Sequence, residues 1–199
     1  MTKRPARPWL WAAGLVSALL VSQSAGLANA PAAPAHPPGP GFGRMGLQSA
    51  DQHFIVMMIP HHDGAIAMAE LALTRAKRPQ IKALAQQIKA SQTAENAQMR
   101  RWYRQWYGTD VPTSTAGGMG MPGMVTSLEV LRTAPDFDRT FIEQMIPHHR
   151  MGVMMASHAQ GNTQRPELRE LEAAMVQVQR REMDQMTQWS RDWYGTSGR

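Results

Sequence analysis

The sequence predicts an all-α protein, a four-helix bundle assembled from two copies of one helical hairpin. Three observations lead there. Shifted by 87 residues, the chain superimposes on itself without a gap. Met58-Ile59-Pro60-His61-His62 returns as Met145-Ile146-Pro147-His148-His149, and about 24 of the 59 positions in 51–109 and 138–196 are identical. So long an ungapped match marks a duplication. Within each copy, apolar residues recur at alternating spacings of three and four, the period of a helix facing a core. Each copy is also punctuated midway by Arg78-Pro79 or Arg165-Pro166 and closed by Gly108 or Gly195, residues that open and end helices. One such hairpin cannot bury its stripe alone, so the two must pack together.

The elements follow in chain order. Lys3, Arg4 and Arg7 precede an apolar run from Trp9 to Val21, short for a membrane span, and small residues follow it. This order reads as a secretory signal peptide over 1–28, cut after Ala28, and hence an exported protein, periplasmic or extracellular. An uncleaved anchor is the alternative. Residues 29–48, rich in Pro, Gly and Ala, form a flexible tether. The first hairpin spans 49–109. Its first helix starts near Ser49 with a Ser49/Gln52 capping box and runs to about Lys77, with a kink expected at Pro60. Its second opens at Pro79 and ends at Gly108. Residues 110–135 are a linker containing Met119, Met121 and Met124, read as flexible rather than metal-capturing, with a short helix near 127–132. The second hairpin, 136–196, places helices near 136–160 and 166–194.

Composition narrows the chemistry. The 199 residues include no cysteine, which excludes a disulfide scaffold, a zinc ribbon, a thiol nucleophile and a Cys-anchored lipoprotein. The net charge of +6 falls to +3 without Lys3, Arg4 and Arg7, too little to point to nucleic acid. Sixteen methionines and seven histidines are the anomaly. Thioether packs as a flexible apolar group, but it is also a soft metal ligand.

The inward stripe of the second helix reads Ile81, Leu84, Ile88, Gln92, Glu95, Met99, Trp102 and Trp106. It is repeated as Leu168, Leu171, Met175, Gln179, Glu182, Met186, Trp189 and Trp193. An amide and a carboxylate inside an apolar seam are costly unless paired, and here they recur at matching places. Antiparallel helices rise equally from their turn, about 1.5 Å per residue. That sets His61 and His62 level with Glu95, and Met99 level with Met57 and Met58. Likewise His148 and His149 lie level with Glu182, and Met145 with Met186. Four imidazoles, two carboxylates and several thioethers at one level have the makings of an internal metal site. Imidazole suits most first-row ions, thioether selects soft ones such as Cu(I), and carboxylate either ligates or holds a ring from behind. Gln92 and Gln179 are expected to orient their neighbours by hydrogen bonds. Met151, Met154, Met155 and His158 add soft ligands one turn apart. His158 lacks a counterpart in the first copy, where Leu71 stands, and His53 lacks one in the second, where Thr140 stands. Ordinary core filling competes with ligation for Met58, Met68, Met99, Met145, Met155 and Met186.

The Met-Ile-Pro-His-His motif, the Gln-x-x-Glu-x-x-x-Met stretch and the hairpin plan resemble the bacterial bundles of domain-of-unknown-function family 305, which includes exported CopM-type copper-binding proteins. The resemblance covers nearly all of residues 50–195. It implies a ferritin-like helical bundle and periplasmic handling of Cu(I), or Ag(I), through Met and His. His61-His62-Asp63-Gly64 follows the family pattern, whereas His148-His149-Arg150-Met151 carries Met where Gly64 stands.

The leading expectation is therefore a non-enzymatic exported metal-binding protein for copper tolerance or trafficking, with a copper-delivery or efflux protein as a partner. Cu(II) and Zn(II) remain open alternatives to Cu(I). A structural or partner-binding bundle, with its His–Glu pairs setting the packing, is the second reading. A di-metal oxidoreductase requires Glu-x-x-His pairs, which the sequence lacks; a His–Glu hydrolase stays open as an alternative, without a nucleophile elbow or a convincing triad. Oligomeric state is not readable from the sequence.

Overall fold

The structure is a computed structural model that describes residues 49–112 and 128–195. The expected signal peptide, the tether and the loop with Met119, Met121 and Met124 lie outside the described residues. Those described form five helices: α1 (Ala50–Arg75), α2 (Pro79–Tyr107), α3 (Leu128–Thr133), α4 (Phe137–Gln160) and α5 (Pro166–Tyr194). The long ones, α1, α2, α4 and α5, make the four-helix bundle.

Local chemistry sets the boundaries. The Ser49 side chain accepts from the Gln52 backbone N–H at 3.1 Å, capping α1. The return half of the capping box is absent, because the Gln52 side chain donates to the Tyr103 hydroxyl at 3.0 Å instead, tying α1 to α2. Helix α1 stops at Arg75, two residues short of the expected end, with Ala76 and Arg78 already extended. A residue before proline is pushed out of the helical region, so Arg78 must be extended. Pro60 and Pro147 lie inside α1 and α4, which continue through them. Proline opens α2 and α5, and Gly108 (φ 69°) and Gly195 (φ 65°) close them in the left-handed region that glycine enters freely.

Helices α1 and α2 pack as one hairpin, α4 and α5 as the other, and the hairpins meet through α1 and α4. Asp138 at the start of α4 accepts from the backbone N–H groups of Lys77 and Arg78, at 3.0 and 2.9 Å, in the turn of the opposite hairpin. Asp51 does the same on α1, accepting from Gln164 N–H at 3.3 Å with Arg165 Nε at 3.7 Å. The turn arginines also cross over. Arg78 lies 4.2 Å above Trp193, and Arg165 lies 4.0 Å above Trp106. Short α3 rests on α1 and α4. It is held by the Arg75 guanidinium, which donates to the carbonyls of Leu131, Arg132 and Ala134.

The buried apolar residues form two clusters rather than one core. One gathers Met68, Ile81, Leu84, Ile88, Leu131, Phe137, Phe141, Met145 and Met186. The other gathers Phe54, Ile55, Met58, Ile59, Met99, Tyr103, Leu168 and Met175. Each fully buried side chain of this size stabilises the fold by about 1.5–3 kcal/mol. Along every long helix the polar residues of the His–Glu level fall between the two clusters. The buried line of α2 also departs from the expected stripe, running Ile88, Gln92, Asn96, Met99, Tyr103. Two successive steps of four bring Asn96 and Tyr103 inward, leaving Glu95, Trp102 and Trp106 half-buried at the flank.

Candidate metal centre

Across the middle of the bundle runs a belt of polar side chains: His61, His62, Gln92, Glu95, Asn96, His148, His149, Gln179 and Glu182. The four imidazoles are 0–4% exposed. Proximity in the hairpins pairs His62 Nε2 with Glu95 Oε2 at 2.7 Å and His149 Nε2 with Glu182 Oε2 at 2.7 Å. Between these pairs the central rings meet across the α1–α4 contact. The His61 and His148 centroids are 3.9 Å apart, and His61 Nε2 donates to the His148 carbonyl at 3.1 Å.

The central rings are neutral. Burial, then the neighbouring His62 ring, drives the pKa of His61 down to about 3. Burial, then His61 and His149, drives that of His148 down to about 2. A neutral imidazole has one N–H and one lone pair. With Nε2–H of His61 spent on a carbonyl, the lone pair sits on Nδ1, which is buried and bonded to nothing in the protein. The Nδ1 atoms of His62, His148 and His149 are likewise buried and unpartnered, as is His148 Nε2. Carboxylates at Nε2 of His62 and His149 are the arrangement that fixes the tautomer and raises the basicity of a ligating ring. Of the ten buried side-chain atoms without a hydrogen bond among the described residues, eight belong to this belt. Each such atom costs about 1–3 kcal/mol where it stays unpartnered, and that cost is concentrated in this belt.

Two glycines make room for the rings. A Cβ on Gly64 would lie 3.3 Å from His148 Nε2. A Cβ on Gly152 would lie 2.9 Å from His61 Cε1 and collide with Gln179 Oε1. Gly152 stands one position beyond Met151, the counterpart of Gly64, so the second copy supplies its small residue one step later. Sequence reading missed this seat, because the ring it admits comes from another helix.

The other candidate residues divide. Met58 and Met99 lie together in one apolar cluster, while Met68, Met145 and Met186 lie in the other. Thioethers thus lie on both sides of the belt. Among the described residues, no three His, Asp or Glu side chains gather as a ready-made metal group. Gln92 and Gln179 do not orient neighbours through their carbonyl oxygens, since neither Oε1 receives a hydrogen bond. Met151, Met154, Met155 and His158 line a surface groove. The groove also holds His53 and Met57, which the sequence reading left outside the candidate set.

A helical bundle crossed by duplicated, glutamate-held imidazole pairs defines a class of all-α proteins with internal nitrogen donors. The chain belongs to the DUF305 family: the family model, described as a domain of unknown function, matches residues 51–190. It is similar to CopM in the Cu(I)-bound form, with 46% identity and a TM-score of 0.67 over 73% of this chain and 98% of that one. CopM in the Cu(II)-bound form is 48% identical, with a TM-score of 0.69 over 72% and 97% of the two chains. A DUF305 fragment from Deinococcus radiodurans is 30% identical, with a TM-score of 0.60 over 69% and 92%. None of the curated proteins matches the chain.

Proposed function

We propose that this is an exported, non-enzymatic protein that binds Cu(I), with Ag(I) as its soft analogue, for copper tolerance or trafficking. The observation that carries the reading is the set of buried, unpartnered imidazole nitrogens at His61, His62, His148 and His149, with the central rings of His61 and His148 held neutral. Glu95 and Glu182 hold two of the rings from behind, and the thioethers of Met58, Met99, Met145 and Met186 flank the belt. Zn(II) in a structural site takes four ligands in a tetrahedron, and the belt does not gather its donors that way. A soft monovalent ion suits imidazole with thioether. The likeness to CopM, which is described in Cu(I)-, Cu(II)- and Ag-bound forms, supports copper as the cargo. The basic, apolar and small-residue order of the first 28 residues supports export. Among the described residues no helix is long and apolar enough to cross a membrane.

One observation favours a second reading. Each 2.7 Å His–Glu bond joins the two helices of a hairpin, and such a bond fixes register with or without metal. Competition titration separates the two. The mature chain and its H62A/H149A variant are titrated with Cu(I) against a chromogenic chelator under reducing conditions. The metal-binding reading expects the wild type to outcompete the chelator and the variant to lose at least one equivalent while staying helical. Unchanged binding by the variant removes the belt as the site, and no binding by the wild type leaves the packing reading.

A further inference from the structure

The duplication provides its own control, and one end of the molecule departs from it. Between the start of α1 and the end of α4 lies an open groove of about 750 Å³. Six of its lining residues carry soft or borderline donors. His53 and Met57 are one turn apart on α1, and Met151, Met154, Met155 and His158 share one face of α4 at spacings of three and four. The rest of the lining is uncharged. His53, His158 and Met154 are exposed, Met154 at 57%.

Shifting each position by 87 gives the matching end of the bundle. There the six places are held by Thr140, Gln144, Gly64, Ala67, Met68 and Leu71. Only Met68 retains a soft donor, and it is wholly buried in an apolar cluster together with Leu131 of α3. The same fold therefore manages that end with no imidazole and one enclosed thioether. Its apolar surface is covered by α3, fastened by Arg75, whose counterpart at the open end is Asn162. Five of the six donors in the groove are thus not demanded by the architecture. They arrived, or stayed, at the end that nothing among the described residues covers.

We infer that this groove is a second metal site, distinct from the belt, which takes a soft monovalent cation, Cu(I) or Ag(I), on the methionine sulfurs of α4 and the imidazoles of His53 and His158. The donor chemistry selects the ion. Neutral thioethers favour soft cations, while Ca²⁺ and Mg²⁺ require oxygen ligands that this lining does not concentrate. The position suits exchange. The belt is closed within the bundle, whereas among the described residues the groove is open to solvent, so an ion held there is within reach of a carrier or chelator. The inference does not depend on the belt's binding metal.

The test uses the full mature chain, with Cu(I) and Ag(I) as the probes, and compares wild type with H53A/M154L/H158A and with H62A/H149A. The three groove substitutions are at exposed positions, and leucine keeps the volume of Met154. The groove variant is expected to lose one equivalent of Ag(I), or to bind it at least tenfold more weakly, with unchanged far-ultraviolet circular dichroism. In wild-type protein labelled with ¹³C at the methionine methyl groups, Met154 and at least one of Met151 and Met155 are expected to shift as Ag(I) is added. The same shifts should persist in H62A/H149A. Wild-type stoichiometry and affinity in the groove variant, or a Met154 methyl that stays still through saturation, would overturn the inference. Loss of binding by the belt variant alone would leave the belt reading standing and this one refuted.

Discussion

A buried imidazole that already donates through one nitrogen has a single lone pair left, and at His61 that lone pair faces no protein donor. Holding such rings neutral has a consequence for stability. His61 titrates near 3 and His148 near 2 in the folded protein, against an ordinary 6.5 once unfolded. Below about pH 6.5 the unfolded chain therefore binds protons that the folded chain refuses, and stability falls as pH drops toward 3. Urea midpoints measured between pH 7 and 4 should decline, and the decline should be shallower in H61Q/H148Q. Equal slopes would contradict the assignment. The two glycine seats differ in the same quantitative way. Alanine gains about 1 kcal/mol over glycine within a helix, while overpacking costs about 1–3 kcal/mol. G152A, which forces a methyl against His61 and Gln179, should lower stability by up to about 2 kcal/mol. G64A, with an approach of 3.3 Å to His148, should stay within about 1 kcal/mol of wild type in chemical denaturation.

At the scale of elements, the hairpins are joined by reciprocal latches of unequal strength. Asp138 satisfies two backbone N–H groups at 2.9–3.0 Å, whereas Asp51 satisfies one at 3.3 Å. Stranding a buried donor costs about 1–3 kcal/mol. D138A should accordingly destabilise the protein more than D51A, and hydrogen exchange should speed up in the turn at 76–79 rather than the turn at 161–165. Equal losses in the two variants would show that the latch geometry is immaterial. Elements are also where the sequence is most readable. Arg-Pro and the closing glycines mark helix ends through backbone chemistry that acts within a few residues, so α2 and α5 begin and end where those residues stand. Gln52 shows the limit. Its spacing from Ser49 satisfies a capping box, yet Tyr103 on another helix competes for the same amide. Tyr103 itself lies off the expected stripe, because two four-residue steps through Gln92 and Asn96 rotate the buried line.

For the whole molecule, duplication made the facing of His and Glu legible, since equal rise from a shared turn brings the His61–His62 pair level with Glu95 and the His148–His149 pair level with Glu182 by counting, while which ring of each pair meets the carboxylate is settled by the packing. What crosses from one hairpin to the other was hidden. The stacking of His61 on His148, the glycine seats beneath them and the convergence of His53 with His158 all depend on how α1 lies on α4. No spacing within one hairpin encodes that. The separation of the thioethers into two clusters has the same origin, because it reflects the polar belt interrupting the core. The tryptophans carry a practical consequence of this divided plan. Trp102 and Trp106 stack with centroids 5.4 Å apart against one cluster, and Trp189 and Trp193 stack at 5.2 Å against the other, both nearly parallel at 10°. Two closely coupled indole pairs, one for each half of the core, are a built-in optical gauge. With either pair replaced by phenylalanine, the remaining signal reads the loosening of its own half, so two such variants follow events at the groove and at the α3-covered end separately and without a label.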